Sequence, residues 1–167
     1  MTQSERPRTP ASARELPLRW GDHATRLWLG GWLLLGGGMA IAGSQTDSLW
    51  VLTIGTIAHV AGWCVLPAAG WRRTLAVAPG TLAMWLLLTG PRFLIVLVLP
   101  YLLWLLVRHR APLALVTAVP VVVTAVLVGN VVGQDYSRML PALAIVGATM
   151  AVCAWAAAGL DRVRARR

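Results

Sequence analysis

The chain has 167 residues, of which 57% are hydrophobic and only 13% charged. A soluble domain carries about 25% charged residues, and a chain of this size buries only about 70% of its surface on folding, so the apolar surplus does not fit a water-solvated fold. The formal net charge of +9 comes from 15 basic residues, all Arg, concentrated in tails and loops; that placement points away from nucleic acid and toward membrane orientation and anionic lipid headgroups.

Residues 1–26 read as a disordered basic cytoplasmic tail followed by an interfacial segment carrying Trp20, His23 and Arg26. Six apolar runs follow, at 27–43, 49–69, 74–89, 93–107, 112–133 and 139–160, and 161–167 is a second basic tail. Spanning a core of roughly 30 Å takes about 20 helical residues, so the third and fourth runs, covering only about 22–24 Å as α-helix, are short. They are read either as two spans closed by snorkelling Arg73, Arg92 and Arg108 or as a re-entrant hairpin broken at Gly90-Pro91. Thirteen of the fifteen Arg fall in the two tails and in loops 70–73 and 108–111, on one side of a six-helix arrangement. The expected fold is therefore an all-α, polytopic six-helix transmembrane bundle with both termini cytoplasmic. Arg without Lys, beside abundant Ala, Gly, Val and Leu, suits a GC-rich bacterial coding bias, and the expected location is the bacterial cytoplasmic membrane. Ala40-Ile41-Ala42 imitates a signal-peptidase site, but the 26 residues before the run are too many for a signal peptide, and the first helix is expected to be retained.

Small residues four apart, Gly36 with Ala40 and Gly38 with Ala42 in the first helix, and Ala144 with Ala148 and Gly147 with Ala151 in the sixth, suit close helix packing within the bundle or against a partner. Pro67, Pro79, Pro100, Pro120 and Pro141 fall in helices two to six, with Pro100 and Pro120 expected to kink theirs near mid-span.

Two places offer candidate sites. His59 lies ten residues into the second run, with Thr56 and Trp63 on the same helical face. An ionisable residue at that depth is a functional candidate by default, against the plainer role of a neutral His bonded to a neighbouring helix. One His with no second His or carboxylate at its depth makes no metal site, and no cofactor is expected. Cys64 and Cys153 lie in apolar stretches, form no metal or disulfide pattern, and are read as reduced, packed thiols. The second place is the outer face, where Asp47, Arg92, Asn130, Asp135 and Arg138 fall in or beside loops that also hold Gln45 and Gln134. Arg92 and Arg138 suit a phosphate or sugar headgroup with an Asp as base; the plainer reading is an Asp135–Arg138 pair capping a helix end.

Gly90-Pro91-Arg92-Phe93 running into Leu94–Pro100 resembles a stretch of polytopic glycosyltransferases that use polyprenyl-phosphate sugars. Those enzymes are larger and share an acidic motif in a long first outer loop, whereas Asp47 stands in a loop of five residues, so the chain is not assigned to them. With no convergent catalytic set, the leading expectation is a non-enzymatic accessory or scaffolding subunit of a membrane complex, partnered by a larger membrane protein or by its own copies. The alternatives are a small transporter or channel around His59, and an outer-face enzyme or binder of lipid-linked phosphate using Arg92, Asp135 and Arg138.

Overall fold

The computed structural model describes residues 21–44 and 47–165, with side chains as far as Leu160. The basic tail through Trp20, Gln45, and the side chains of the C-terminal tail lie outside the described residues. Among those described, every regular element is helical and six are α-helices: α1 (His23–Ala42), α2 (Leu49–Val65), α3 (Gly70–Leu86), α4 (Val98–Val107), α5 (Ala118–Val132) and α6 (Met139–Ala165). Tight 3-10 turns at Leu87–Thr89, Pro91–Leu97, Pro112–Thr117 and Tyr136–Arg138 extend them. Two continuous stretches, Pro112–Val132 and Tyr136–Leu160, are long and apolar enough to cross a membrane, and Leu49–Val65 and Pro91–Val107 are shorter apolar helices.

The prolines act differently from the expected mid-helix kink. Pro100 and Pro120 are each the third residue of an α segment that follows a 3-10 run opened by another proline, Pro91 or Pro112. A proline ring lacks an N–H and clashes with the carbonyl four residues back. Here the preceding turns wind as 3-10 helix, and the α pattern begins where that clash falls on its first turn. The tighter winding also lengthens the element. A 3-10 residue rises about 2.0 Å against 1.5 Å in an α-helix, so Pro91–Val107 reaches about 29 Å and Gly70–Thr89 about 32 Å.

Helices α1 and α2 form the closest pair. Gly30 and Gly37 on α1 and Gly55 and Gly62 on α2 stand seven apart, two turns each, and oppose one another antiparallel. A Cβ on Gly37 would lie 2.5 Å from the His59 backbone nitrogen and 2.7 Å from the Gly55 carbonyl oxygen. One on Gly62 would lie 2.9 Å from the Leu34 nitrogen. The four-residue pairs expected to make this contact divide differently: Gly38 and Ala42 are buried, but Gly36 faces open space. On α6, Ala144, Ala148 and Ala151 are exposed, and a Cβ on Gly147 would meet nothing.

Three apolar clusters fill the interior. Ile41, Met84, Leu87, Leu94 and Val146 join α1, α3, the 91–97 turn and α6. Tyr101, Ala118, Val121 and Cys153 join α4, α5 and α6, with the Tyr101 hydroxyl 2.6 Å from Thr117 Oγ1. Trp63, Leu66, Ala76, Leu103 and Val107 join α2, α3 and α4. Cys153 is buried as expected, while Cys64 is exposed on α2.

Basic residues gather at one end and finish helices there. Arg26 Nε donates to the Val65 carbonyl at 2.9 Å and Arg73 Nη1 to the Cys64 carbonyl at 2.8 Å, so two arginines from outside α2 take its last acceptors. Arg72 Nη1 donates to the Leu106 carbonyl of α4 at 2.6 Å. Cations at helix C-termini satisfy orphan carbonyls and oppose the negative end of the helix dipole. The last turn of α4 closes in a Schellman motif: the His109 amide bonds the Leu106 carbonyl at 3.2 Å and the Arg110 amide bonds the Leu105 carbonyl at 3.1 Å. His109 occupies its left-handed position at φ +54°, where glycine is the usual residue. At the opposite end, Gly90 turns the chain between α3 and the 91–97 segment at φ +126°. A Cβ there would approach Gln134 Oε1 at 3.0 Å and the Tyr136 hydroxyl at 3.2 Å, so both backbone and space require glycine.

Candidate functional site

His59 is 3% exposed and projects from the middle of α2 into the seam with α1 and α3. Trp63, one turn further along α2 and 1% exposed, donates its indole N–H to His59 Nε2 at 3.1 Å. An indole nitrogen can only donate, so Nε2 is the acceptor and the imidazole proton lies on Nδ1. That proton is donated to the Leu34 carbonyl of α1 at 3.1 Å. The ring is therefore a neutral tautomer with both nitrogens engaged, and its edge meets the indole at 80° with centroids 6.2 Å apart. Room for the indole comes from Gly80 of α3, where a Cβ would fall 2.8 Å from Trp63 Nε1.

Thr56 shares the face but belongs to a second chain of bonds. Its hydroxyl donates to the Leu52 carbonyl at 2.7 Å and accepts the Trp85 indole N–H of α3 at 3.0 Å. The three residues grouped by helical spacing are thus two hydrogen-bonded pairs: Trp63–His59, running on to α1, and Trp85–Thr56, tying α3 to α2. Trp85 and the Leu34 carbonyl are the partners that sequence reasoning missed. Spacing within α2 carries no information about which residues of other helices lie alongside.

The second candidate set is at the far end. Asp47, Arg92, Asn130, Asp135 and Arg138 are all exposed. Loops 87–92 and 129–138 do meet: the Tyr136 hydroxyl donates to the Leu88 carbonyl at 3.1 Å, and Gly129 packs against the Pro91 and Arg92 carbonyls. The Arg92 backbone therefore lies beside Gly129, the chain neighbour of Asn130, whereas Asp47 is in the connection between α1 and α2. Asp135 is already engaged. One carboxylate oxygen accepts from the Ser137 amide at 3.0 Å and hydroxyl at 2.6 Å, and the other lies 3.1 Å from Arg138 Nε. The Ser137 bonds, helped by Arg138, hold the Asp135 carboxyl below its usual range. A carboxylate so stabilised is a weak general base at neutral pH.

The sign of the pH dependence follows. Because the folded group is the stronger acid, its contribution to this turn is present above the ordinary carboxylate range and is lost as pH falls through the lowered value. A carbon-13 titration of the Asp135 carboxyl should show a midpoint below that of a free aspartate, returning toward it in Ser137→Ala. An unshifted midpoint would mean that the cap does not form in solution.

No protein-family model, no curated protein and no solved structure matches the chain. Among the described residues, no group of three or more His, Cys, Asp or Glu is placed to hold a metal ion.

Proposed function

We propose that the chain is a six-span integral membrane protein with its basic end, and both termini, on the cytoplasmic side, and that it serves as an accessory or scaffolding subunit of a membrane assembly. Exposure of apolar side chains supports the membrane part. Only 28% of the Pro112–Val132 window and 17% of the Tyr136–Leu160 window are buried, so these are not the enclosed core helices of a soluble protein. Leu127, Val131, Val152 and Trp155 face outward, Trp155 at 85% exposure. Exposed apolar surface on this scale needs lipid or protein against it. Arg26, Arg72 and Arg73 all bond helix ends at one pole, which agrees with the positive-inside rule for alternating spans.

The observation that carries the subunit reading is the outward small-residue face of α6. Ala144, Ala148 and Ala151 are exposed and Gly147 has open space beside it, while the bundle's own close contact is made by other glycines on α1 and α2. In lipid, small residues let helix backbones approach, and van der Waals contact then drives association. At both candidate sites, by contrast, a key polar group is already engaged: His59 has neither ring nitrogen free, and Asp135 is a turn cap.

The test is affinity purification from the native membrane in mild detergent, comparing the wild-type chain with Gly147→Leu. The Cβ of the new side chain meets nothing within 4 Å in the chain's own fold, so helicity and yield should be unchanged. A stoichiometric companion, whether another protein or a second copy, should accompany the wild type and be lost from the variant. A monodisperse monomer, or a companion indifferent to Gly147→Leu, would overturn the reading.

A further inference from the structure

We propose that the basic end of the α3/α4 pair is a binding site for a phosphate group, with Arg72 and His109 as its donors. Arg72 reaches across from the first turn of α3 and is fixed by two contacts: Nη1 on the Leu106 carbonyl at 2.6 Å, and the guanidinium over the Trp71 ring at 5.1 Å. The Leu106 carbonyl also accepts the His109 amide, so one oxygen ties both residues to the end of α4. The remaining donors are what the fold leaves without use. Arg72 Nε and His109 Nε2 are both buried atoms with no hydrogen-bond partner. A buried donor without an acceptor is costly, so two on residues that are joined through one carbonyl call for an explanation. Each belongs to a half-buried residue, so the donors lie beneath the surface and are uncovered by movement of their own side chains.

The backbone points the same way. His109 stands at φ +54° in a Schellman position that glycine fills without strain, so the chain carries an imidazole here against the backbone preference. Burial, then the charges of Arg72 and Arg108, hold His109 below the ordinary histidine range. It is therefore a neutral ring at pH 7, and with its proton on Nε2 it offers one N–H to an oxyanion while Arg72 supplies the countercharge. Trp71, 61% exposed beside Arg72, gives the site an apolar flank of the kind found at the headgroup layer. A phosphomonoester suits the site, since it offers several terminal oxygens to accept from Arg72 and His109. The phosphate chemistry stands on these residues alone; a lipid headgroup as its source rests on the membrane reading above.

Native mass spectrometry of the full chain in neutral detergent separates the possibilities, titrated with phosphatidic acid, with phosphatidylcholine, and with inorganic phosphate as competitor. Phosphatidic acid should bind at least about tenfold more tightly than phosphatidylcholine, the worth of one charge-assisted hydrogen bond. His109→Gly, which keeps the turn and relieves its backbone, and Arg72→Lys, which keeps the charge and loses the Nε donor, should each remove most of that preference. Competition by millimolar inorganic phosphate, lost in the same variants, would assign free phosphate as the ligand of the same site. Equal phosphatidic acid binding by wild type and both variants, or no response to either probe, overturns the proposal. Alkaline carbonate extraction of the wild-type chain tests the membrane reading separately: retention in the pellet with no phosphate response would leave that reading standing without the site.

Discussion

Gly37→Ala should cost about 3 kcal/mol of stability, while Gly36→Ala, one residue away, should be neutral or stabilising by up to about 1 kcal/mol. The contrast follows from what each new methyl group meets. At Gly37 it would fall 2.5 Å from the His59 nitrogen and 2.7 Å from the Gly55 oxygen, both backbone atoms of the facing helix. Backbone cannot rotate aside as a side chain can, so α1 and α2 must separate along the seam, loosening the contacts of Gly30 and Gly62 as well. At Gly36 the methyl group meets nothing within 4 Å, and only the better helix propensity of alanine remains.

The other seam glycines should fall between these limits. A Cβ on Gly30 first meets Leu66 Cδ2 at 3.0 Å, the end of a flexible side chain, whereas one on Gly55 meets the Gly37 oxygen at 3.0 Å and one on Gly62 the Leu34 nitrogen at 2.9 Å, so Gly30→Ala should be the mildest of the three. Gly147→Ala should behave as Gly36→Ala does. Equilibrium unfolding of the purified variants in mixed micelles, read by helicity, gives the order directly. If Gly36→Ala and Gly37→Ala proved equal, an α1–α2 seam through Gly37 would not be the one the protein uses.

This seam also shows where sequence reading reached its limit. The apolar runs placed all six helices in order, because hydrophobic continuity and loop polarity are local properties of the chain. The glycines of α1 were equally visible, yet four-residue spacing drew attention to Gly36 with Ala40, and the contact runs through Gly30 and Gly37 instead. A helix with five glycines has small residues on several faces, and which face is used depends on a partner helix the spacing does not contain. The 3-10 runs before Pro100 and Pro120 were hidden for a related reason: a proline announces a disturbed hydrogen bond, but not how the neighbouring turns absorb it. The arginines were read as orientation signals, and their bonds to the last carbonyls of α2 and α4 appear only when distant segments meet. At the candidate sites, the helical spacing of His59 and Trp63 and the Asp135–Arg138 pair were legible, being three or four residues apart. What lay beyond reach was the tertiary half of each site, Leu34 and Trp85 above all.

His59→Ala should destabilise the protein by about 2–4 kcal/mol, and the loss should be shared with Trp63. Removing the imidazole leaves the Trp63 indole N–H, 1% exposed, with no acceptor, at about 1–3 kcal/mol, and opens a cavity against α1 that adds to it. The Leu34 carbonyl suffers less, since a carbonyl within a helix keeps its backbone partner four residues on. Trp63→Phe removes the donor instead, so His59→Leu with Trp63→Phe takes away both members and leaves no orphan. The double variant should therefore be more stable than the sum of the single His59→Leu and Trp63→Phe losses predicts, by about 0.6–2 kcal/mol, the range for hydrogen bonds between groups in a lipid-embedded bundle. Additive losses would show that the 3.1 Å contact is not an energetic bond. The same double variant separates structure from chemistry at this position. If His59 holds α1 to α2 and does nothing more, a folded His59→Leu, Trp63→Phe chain should still recover its α6-dependent companion in full. If a proton or solute passes by way of His59, flux in proteoliposomes should vanish in that variant although the fold remains intact. The saturation of both ring nitrogens favours the first result, because a ring that already donates to Leu34 and accepts from Trp63 must break one of those bonds before it can take part in anything else.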